Sequence, residues 1–279
     1  MRTIKLLFII PCLLFVFSAC QKDNYQAPNA TISGALTDAE LGGPLSLAQN
    51  GSQAGSVRYL VNDPAKYPSP SALDCYLKQD GTFFNSQYFA ENYKVFPLAA
   101  SGPWQYTNAT DLTKVGDSLK VNVAAGQNTV TNFKVYPYFR ISLSVVDTNC
   151  TVTITRSAAA TANANNLTDA NDLVIMVNNY ALVNSSISSN STGYYINQWR
   201  FTINNTSTPT TTWATGTTQY YAFGTPLTLP INTTGGGVLG IKWAATHLAK
   251  GTYYWRASIV GHSSNGAPNW SNTVTATVH

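Results

Sequence analysis

The chain has 279 residues and a formal net charge of +4, with 44% hydrophobic residues and only 10% charged ones. A typical soluble domain carries about 25% charged residues; here Asn, Thr and Ser supply the polarity, which favours strands joined by turns. Loss of Arg2 and Lys5 with an N-terminal leader would leave fourteen basic side chains against twelve acidic ones, too even a balance for a nucleic-acid footprint. The length suits one large domain or two ordinary ones.

The first twenty residues read as a targeting segment. Arg2 and Lys5 precede a nearly unbroken apolar run from Leu6 to Phe17. That run fits a signal-peptide core and falls short of the ~20 residues a membrane-spanning helix needs. The stretch Phe17-Ser18-Ala19-Cys20 resembles a bacterial lipobox, in which the cysteine is diacylated and becomes the first mature residue. Two or three acyl chains give stable anchoring where one does not. An ordinary secretory leader with a chance cysteine is the alternative. Gln21-Lys22-Asp23 resembles the charged signal that sends some Bacteroidota lipoproteins to the outer face of the outer membrane. The expected organisation is therefore a signal peptide over 1–19 and a lipidated tether over 20–29. Two all-β sandwich domains follow, over 30–137 and 138–279. No second apolar run is long enough to span a bilayer.

Thr31 to Leu36 alternates as a strand, and Asp38 to Pro44 is rich in turn residues. Ser56 to Val61 is the next strand, and the three prolines between Asp63 and Ser71 demand a loop. Strands are expected from Leu73 to Lys78 and over Thr82-Phe83-Phe84, joined by the tight turn Asp80-Gly81. Asn92 to Phe96 follows, then a loop from Ser101 to Trp104. Ser118 to Val123 and Thr129 to Val135 alternate on either side of a turn at Gly126-Gln127-Asn128. This is about seven strands in roughly 105 residues, the spacing of a β-sandwich.

Pro137 marks the join, because it interrupts strand pairing and restricts Tyr136. Beyond it, Arg140 to Val145 and Cys150 to Thr155 form a hairpin. Ala158 to Asn171 reads as loop, Leu173 to Val177 and Tyr180 to Val183 as strands, and Ser185 to Gly193 as loop. Trp199 to Ile203 alternates, and Thr206 to Thr218 is loop or weak strand. Leu227 to Ile231, Tyr253 to Val260 and Thr273 to Val278 complete a second sandwich. No segment has a helical period; Trp243 to Leu248 is at most one short turn.

Catalytic and metal motifs are sparse. Cys12 leaves with the leader and Cys20 is the lipid site, so Cys75 and Cys150 remain, without CxxC spacing. Two separate buried thiols are the simpler reading, although an oxidising location permits a disulfide. The only histidines are His247, His262 and His279, and the only glutamates are Glu40 and Glu91. Nothing nominates the carboxylate pair that glycosidase chemistry requires, and no nucleophile elbow is present. Asp169 and Asp172 could supply oxygen ligands to calcium, but a solvated loop explains them as well. No cofactor is expected. Loop aromatics among Asn, Thr and Ser are candidates for stacking on sugars: Trp104, Trp213, Tyr220, Tyr221 and Trp270. Each weighs against plugging a sandwich end or a domain seam, the commoner fate of large aromatics. Trp199 and Trp255 fall inside alternating strands and read as core. Asp117-Ser118-Leu119 resembles an O-glycosylation triplet of Bacteroidota secreted proteins, with Ser118 as acceptor; Ser118 could equally begin a strand.

Several motifs in the first half resemble the transthyretin-like, carboxypeptidase-regulatory-like sandwiches. They are Asn29 to Asp38, Gln79-Asp80-Gly81-Thr82-Phe83 and Glu91-Asn92-Tyr93-Lys94-Val95. With Gly102-Pro103-Trp104, Val135 to Phe139 and the opening Lys22-Asp23-Asn24-Tyr25 before Pro28, the chain resembles a two-domain Bacteroidota lipoprotein family, domain of unknown function 3823. Gly251 to Ala257 and Trp270-Ser271 are similar to the last strands of fibronectin type III or Ig-like domains. The resemblance implies an outer-membrane lipoprotein facing the cell exterior beside Sus-like transporters that import oligosaccharides. It implies no activity and no functional residue beyond Cys20. Three roles are open: a non-enzymatic accessory of glycan capture or uptake, a structural spacer or protein-binding adhesive module, and, less favoured, a glycan hydrolase.

Overall fold

Two-residue periodicity builds the first sandwich. The computed structural model describes residues 27–48, 55–98, 102–108, 111–115, 118–146, 149–158, 170–181, 183, 197–205, 219–221, 223–230, 249–261 and 267–279. Along β1 (Ala30–Asp38) the buried residues are Ala30, Ile32, Leu36 and Asp38. The other strands of this half are β2 (Ser56–Val61), β3 (Ala72–Tyr76), β4 (Thr82–Tyr88), β5 (Glu91–Pro97), β6 (Trp104–Gln105), β7 (Thr107–Asn108), β8 (Asp111–Val115), β9 (Leu119–Val123), β10 (Asn128–Val130) and β11 (Phe133–Pro137). One sheet has the order β3-β2-β5-β9 and is antiparallel. In the other, β4 pairs antiparallel with one edge of β1, while β10 and β11 run parallel to successive parts of its other edge. β6 adds to β11. Val57, Tyr59, Tyr93 and Val95 from the first sheet meet Ile32, Leu36, Phe83 and Val135 from the second in one apolar core.

The expected single strand from Thr129 to Val135 is two strands. Thr131 turns inward, where its hydroxyl meets the Tyr59 hydroxyl at 2.8 Å, and the Asn132 side chain accepts the Ala35 amide hydrogen at 3.0 Å. The jog presses the Thr131 carbonyl against β1 at Gly34, where a Cβ would lie 1.7 Å from that oxygen. The Asp80-Gly81 turn forms as expected, with Gly81 at φ +76°.

The second sandwich comprises β12 (Phe139–Val146), β13 (Asn149–Arg156), β14 (Ala170–Asn178), β15 (Asn197–Asn205), β16 (Gln219–Tyr221), β17 (Leu227–Pro230), β18 (Gly251–Gly261), β19 (Asn269–Trp270) and β20 (Val274–Val278). The β12–β13 hairpin pairs in full register from Phe139–Arg156 to Val146–Asn149, and β17 adds to β13. The facing sheet has the order β16-β15-β14-β18, with β19 and β20 on the far edge of β18. Leu143, Val152 and Ile154 pack against Ile175, Val177, Trp255 and Ile259 between the sheets.

Two expectations change here. Tyr180, Ala181 and Val183 do not form a strand: Asn178 ends β14, its side chain accepting the Asn179 amide hydrogen at 2.8 Å, and Tyr180 is left exposed. Asn171 and Asp172 lie inside β14 rather than in a loop. Cys75 and Cys150 are two separate buried thiols, as the simpler reading had it, one in each core. The chain is all-β, and among the described residues no helix is long and apolar enough to cross a membrane. The readings for residues 1–26, 206–218 and 243–248 lie outside the described residues.

Candidate functional site: the seam between the sandwiches

The seam begins with turn chemistry at the end of β1. The Asp38 carboxylate accepts the backbone N–H groups of Glu40 and Leu41, and Gly42 closes the turn at φ +78°. The segment from Gly43 to Ala48 then runs along the first sandwich, with Leu45 and Leu47 in its core, and turns Ser46 and Ala48 toward the second. There Ala48 packs with Val174, Met176, Val183 and Trp270. Val174 and Met176 lie on the face of β14 opposite its sandwich core. β14 is therefore buried on both faces, as its unbroken apolar run Leu173 to Val177 requires.

Arg256 occupies the centre of the seam and is 0% exposed. It projects from β18 on the side opposite Trp255. Its Nε donates to the Ser271 carbonyl (3.1 Å), Nη1 to the Val183 carbonyl (3.3 Å), and Nη2 to Ser46 Oγ and the Leu47 carbonyl (both 2.9 Å). The guanidinium also lies over the Trp270 ring. Burial pulls its pKa down; four acceptors and an aromatic face compensate, with no counter-ion among the described residues. Ser46 Oγ also donates to the Ser271 carbonyl at 2.6 Å, so one serine of the first sandwich contacts both partners in the second.

A second cation joins the rim. Arg140, at the start of β12, forms a two-point ion pair with Asp38 and reaches Glu40 at 2.6 Å. Burial raises the Asp38 pKa, but the Arg140 hydrogen bond, the two turn amides and the Arg140 charge outweigh it, so the carboxyl sits below its ordinary value. Asn269 bridges the joint, accepting the Phe139 amide hydrogen and donating to the Pro103 carbonyl. Gln79 donates to Thr273 Oγ1 at 3.1 Å. Two clefts flank the inserted segment. One, of about 210 Å³, is bounded by Asp38, Trp104, Phe139, Arg140 and Trp270; the other, of about 480 Å³, by Leu77, Gln79, Asp80, Asn272 and Thr273.

The seam gathers two of the expected sugar-stacking residues and corrects both. Trp104 is 0% exposed, its benzo ring wedged between Gly55 and Gly102; Trp270 is 4% exposed beneath Arg256. Neither presents a ring face to solvent: Trp104 packs in the first core, and Trp270 fills the joint beside Ala48. Tyr220 and Tyr221 stand on β16, in parallel register with Asn204 and Asn205 of β15. Trp213, Asp169 and Cys20 lie outside the described residues. Ser118 is half-buried immediately before β9. Trp255 is core as expected. Among the described residues no three His, Cys, Asp or Glu side chains gather as metal ligands. The residue that sequence reasoning missed is Arg256. Its one local signal was the neighbouring two-faced apolar strand, which implied that something covers that side of the sheet.

The described carboxylates serve structure. Asp74 pairs with Arg58 (2.7 Å), Glu91 with Lys66 (2.8 Å), and Asp38 and Glu40 with Arg140. Asp63 and Asp80 accept backbone N–H groups of their own turns. The Asp38, Asp74 and Asp80 carboxyls are all held below their ordinary values, the opposite of what a general acid needs near neutrality.

Residues 31–136 match the sequence model described as the N-terminal domain of a protein of unknown function, DUF3823. Solved structures of DUF3823 family proteins share the fold. One from Bacteroides uniformis is 16% identical with a TM-score of 0.59, and one from Parabacteroides merdae is 20% identical with a TM-score of 0.55. A third, from Bacteroides ovatus, is 15% identical with a TM-score of 0.52. Each comparison covers 90% of this chain and 100% of the other. No curated protein matches. Over residues 31–136 the chain is similar to that N-terminal domain, and over most of its length it shares the fold of these DUF3823 family structures.

Proposed function

We propose that this chain is a non-enzymatic lipoprotein of the outer membrane, anchored through Cys20 and facing the cell exterior. In this reading it serves glycan capture or uptake as a stiff arm that holds its second sandwich away from the membrane beside a Sus-like transporter. The observation that carries the reading is the placement of tether and seam. The Asn29 N–H donates to Tyr88 at the start of β1, whereas Asp38 at the other end of β1 joins the seam. The tether and the second sandwich thus attach to opposite ends of a nine-residue strand, about 30 Å apart. The buried Arg256 and the Asp38–Arg140 pair make that joint stiff.

Burial of Trp104 and Trp270 favours a second reading, in which the arm is a spacer or a protein-binding module that touches no sugar. Engagement of the described carboxylates weighs against a hydrolase. Two measurements separate these roles: an oligosaccharide array with the mature protein, and capture of membrane partners by the tagged lipoprotein in its native host. Glycan binding or co-capture of an outer-membrane transporter supports the first reading. A silent array with non-transporter surface proteins captured supports the second. Measurable glycan turnover overturns both.

A further inference from the structure

The tether end of the first sandwich carries an unusual set of exposed side chains. Phe89 is 49% exposed and Tyr67 39%. Both sit where the chain enters the fold. Phe89 follows Tyr88, the residue that accepts the Asn29 amide hydrogen, and Gly126 on the adjoining turn donates to the Asn29 carbonyl at 2.7 Å. The Tyr93 hydroxyl donates to the Phe89 carbonyl at 3.1 Å. Tyr67 is held by its amide on the Asp63 carbonyl at 2.8 Å, and Lys66 Nζ lies 5.0 Å from its ring centroid. The rings are therefore presented on ordered backbone.

Lysines stand beside them. Lys94 of β5 and Lys120 of β9 are directly opposite in register, on the outward face of their sheet, and both are exposed. Like charges in that arrangement are destabilising. Neither lysine has an ion-pair partner among the described residues, and Asp74, on the same face, is taken by Arg58. Lys94 lies three residues from Glu91, about 10 Å from the tip. The acids of the tip are Asp63, which closes its own turn, and Glu91, which pairs with Lys66. Aromatic rings at an end with cations just above them match a membrane interface with anionic headgroups. The tether from Cys20 to Asn29 reaches at most ~30 Å, so an anchored chain keeps this tip near the bilayer.

We infer that the tether end of the first sandwich seats on an anionic lipid surface, with Phe89 and Tyr67 at the interface and Lys94 and Lys120 facing headgroups. This rests on the reading of Cys20 as lipidated. The test uses the full mature protein purified from membranes, placed in phosphatidylcholine vesicles containing phosphatidylglycerol. Phe89→Cys carries an environment-sensitive thiol probe, and Val146→Cys on the second sandwich, 72% exposed, is the control. Cys75 and Cys150 are buried and an acylated Cys20 is blocked, so a label found on Cys20 reports failure of the anchor reading itself. The expected result is a blue-shifted probe at 89, quenched by spin-labelled lipid, with the probe at 146 unaffected. In the non-acylated Cys20→Ser protein, Lys94→Glu with Lys120→Glu should lower vesicle binding roughly tenfold or more. Equal quenching at 89 and 146 in protein of verified acylation overturns the inference. So does a probe at 89 that responds to an acidic polysaccharide and not to vesicles.

Discussion

The Arg256 guanidinium lies 4.5 Å from the centroid of the Trp270 ring, the two residues standing on the neighbouring strands β18 and β19 of the second sandwich. Trp270 fills the seam, and its face takes part of the charge that water would otherwise solvate. Because the other contacts are carbonyls and one hydroxyl, truncation strands several buried acceptors at once. Arg256→Ala should cost about 3 kcal/mol or more. Arg256→Lys should recover only part of that, since an ammonium cannot reach four acceptors in the plane of a guanidinium fork. Urea titration with a probe in each sandwich checks this. The wild type should unfold with coincident transitions, and Arg256→Ala should separate them.

The Asp38–Arg140 pair gives the joint an acid limit. The folded pKa of Asp38 lies below its unfolded value of 3.8. The pair's contribution is therefore complete above that value and is lost as the pH falls through the folded one. Thermal melts from pH 6 to pH 2 should show stability declining below about pH 4. Asp38→Asn should be less stable at neutral pH by about 3 kcal/mol, the cost of leaving Arg140 half-compensated, and should decline less steeply in acid. Some acid dependence should survive, because the Arg58 hydrogen bond lowers the Asp74 pKa independently.

The two sandwiches were legible where strands obey local rules. Alternation from Thr31 to Leu36, the Asp80-Gly81 turn and the Arg140 to Thr155 hairpin all follow from nearest neighbours along the chain. The split between β10 and β11 was not legible, because a hydroxyl contact with Tyr59, 72 residues away, sets it. The seam was less legible still. Trp104, Trp270 and Arg256 have side chains that suit a solvent-facing site; Trp104 is interior to the first core, and the docking of the two sandwiches encloses Trp270 and Arg256. Composition identified them as large groups needing a home without saying which surface supplies it.

Trp104 makes this concrete, since two glycines clear the space it fills. A Cβ at Gly102 would lie 2.0 Å from the Trp104 ring, and one at Gly55 would lie 1.9 Å from it. Gly55 also holds φ +90°, which a side chain resists. Gly102→Ala should cost about 1–3 kcal/mol by overpacking, and Gly55→Ala more, because strain adds to overlap. Near-ultraviolet circular dichroism should report the displaced indole in both, while far-ultraviolet spectra keep the β signature.

Cys75 and Cys150 supply a check on both cores at once. Burial pushes the Cys75 thiol up to about 11 and raises Cys150 as well. Thiolate is the reactive form, so each core protects its cysteine by exclusion and by protonation together. Iodoacetamide at pH 8 should leave both unmodified in the native protein and alkylate both in denaturant, read by peptide mass. The two should stay coupled in Gly102→Ala, which leaves the Arg256 contacts in place. Cys75 shares its core with Trp104, and Cys150, in the other sandwich, should become reactive at the same lowered denaturant concentration. Exposure of Cys75 alone in that variant would mean that the seam does not transmit the damage and the two sandwiches open separately.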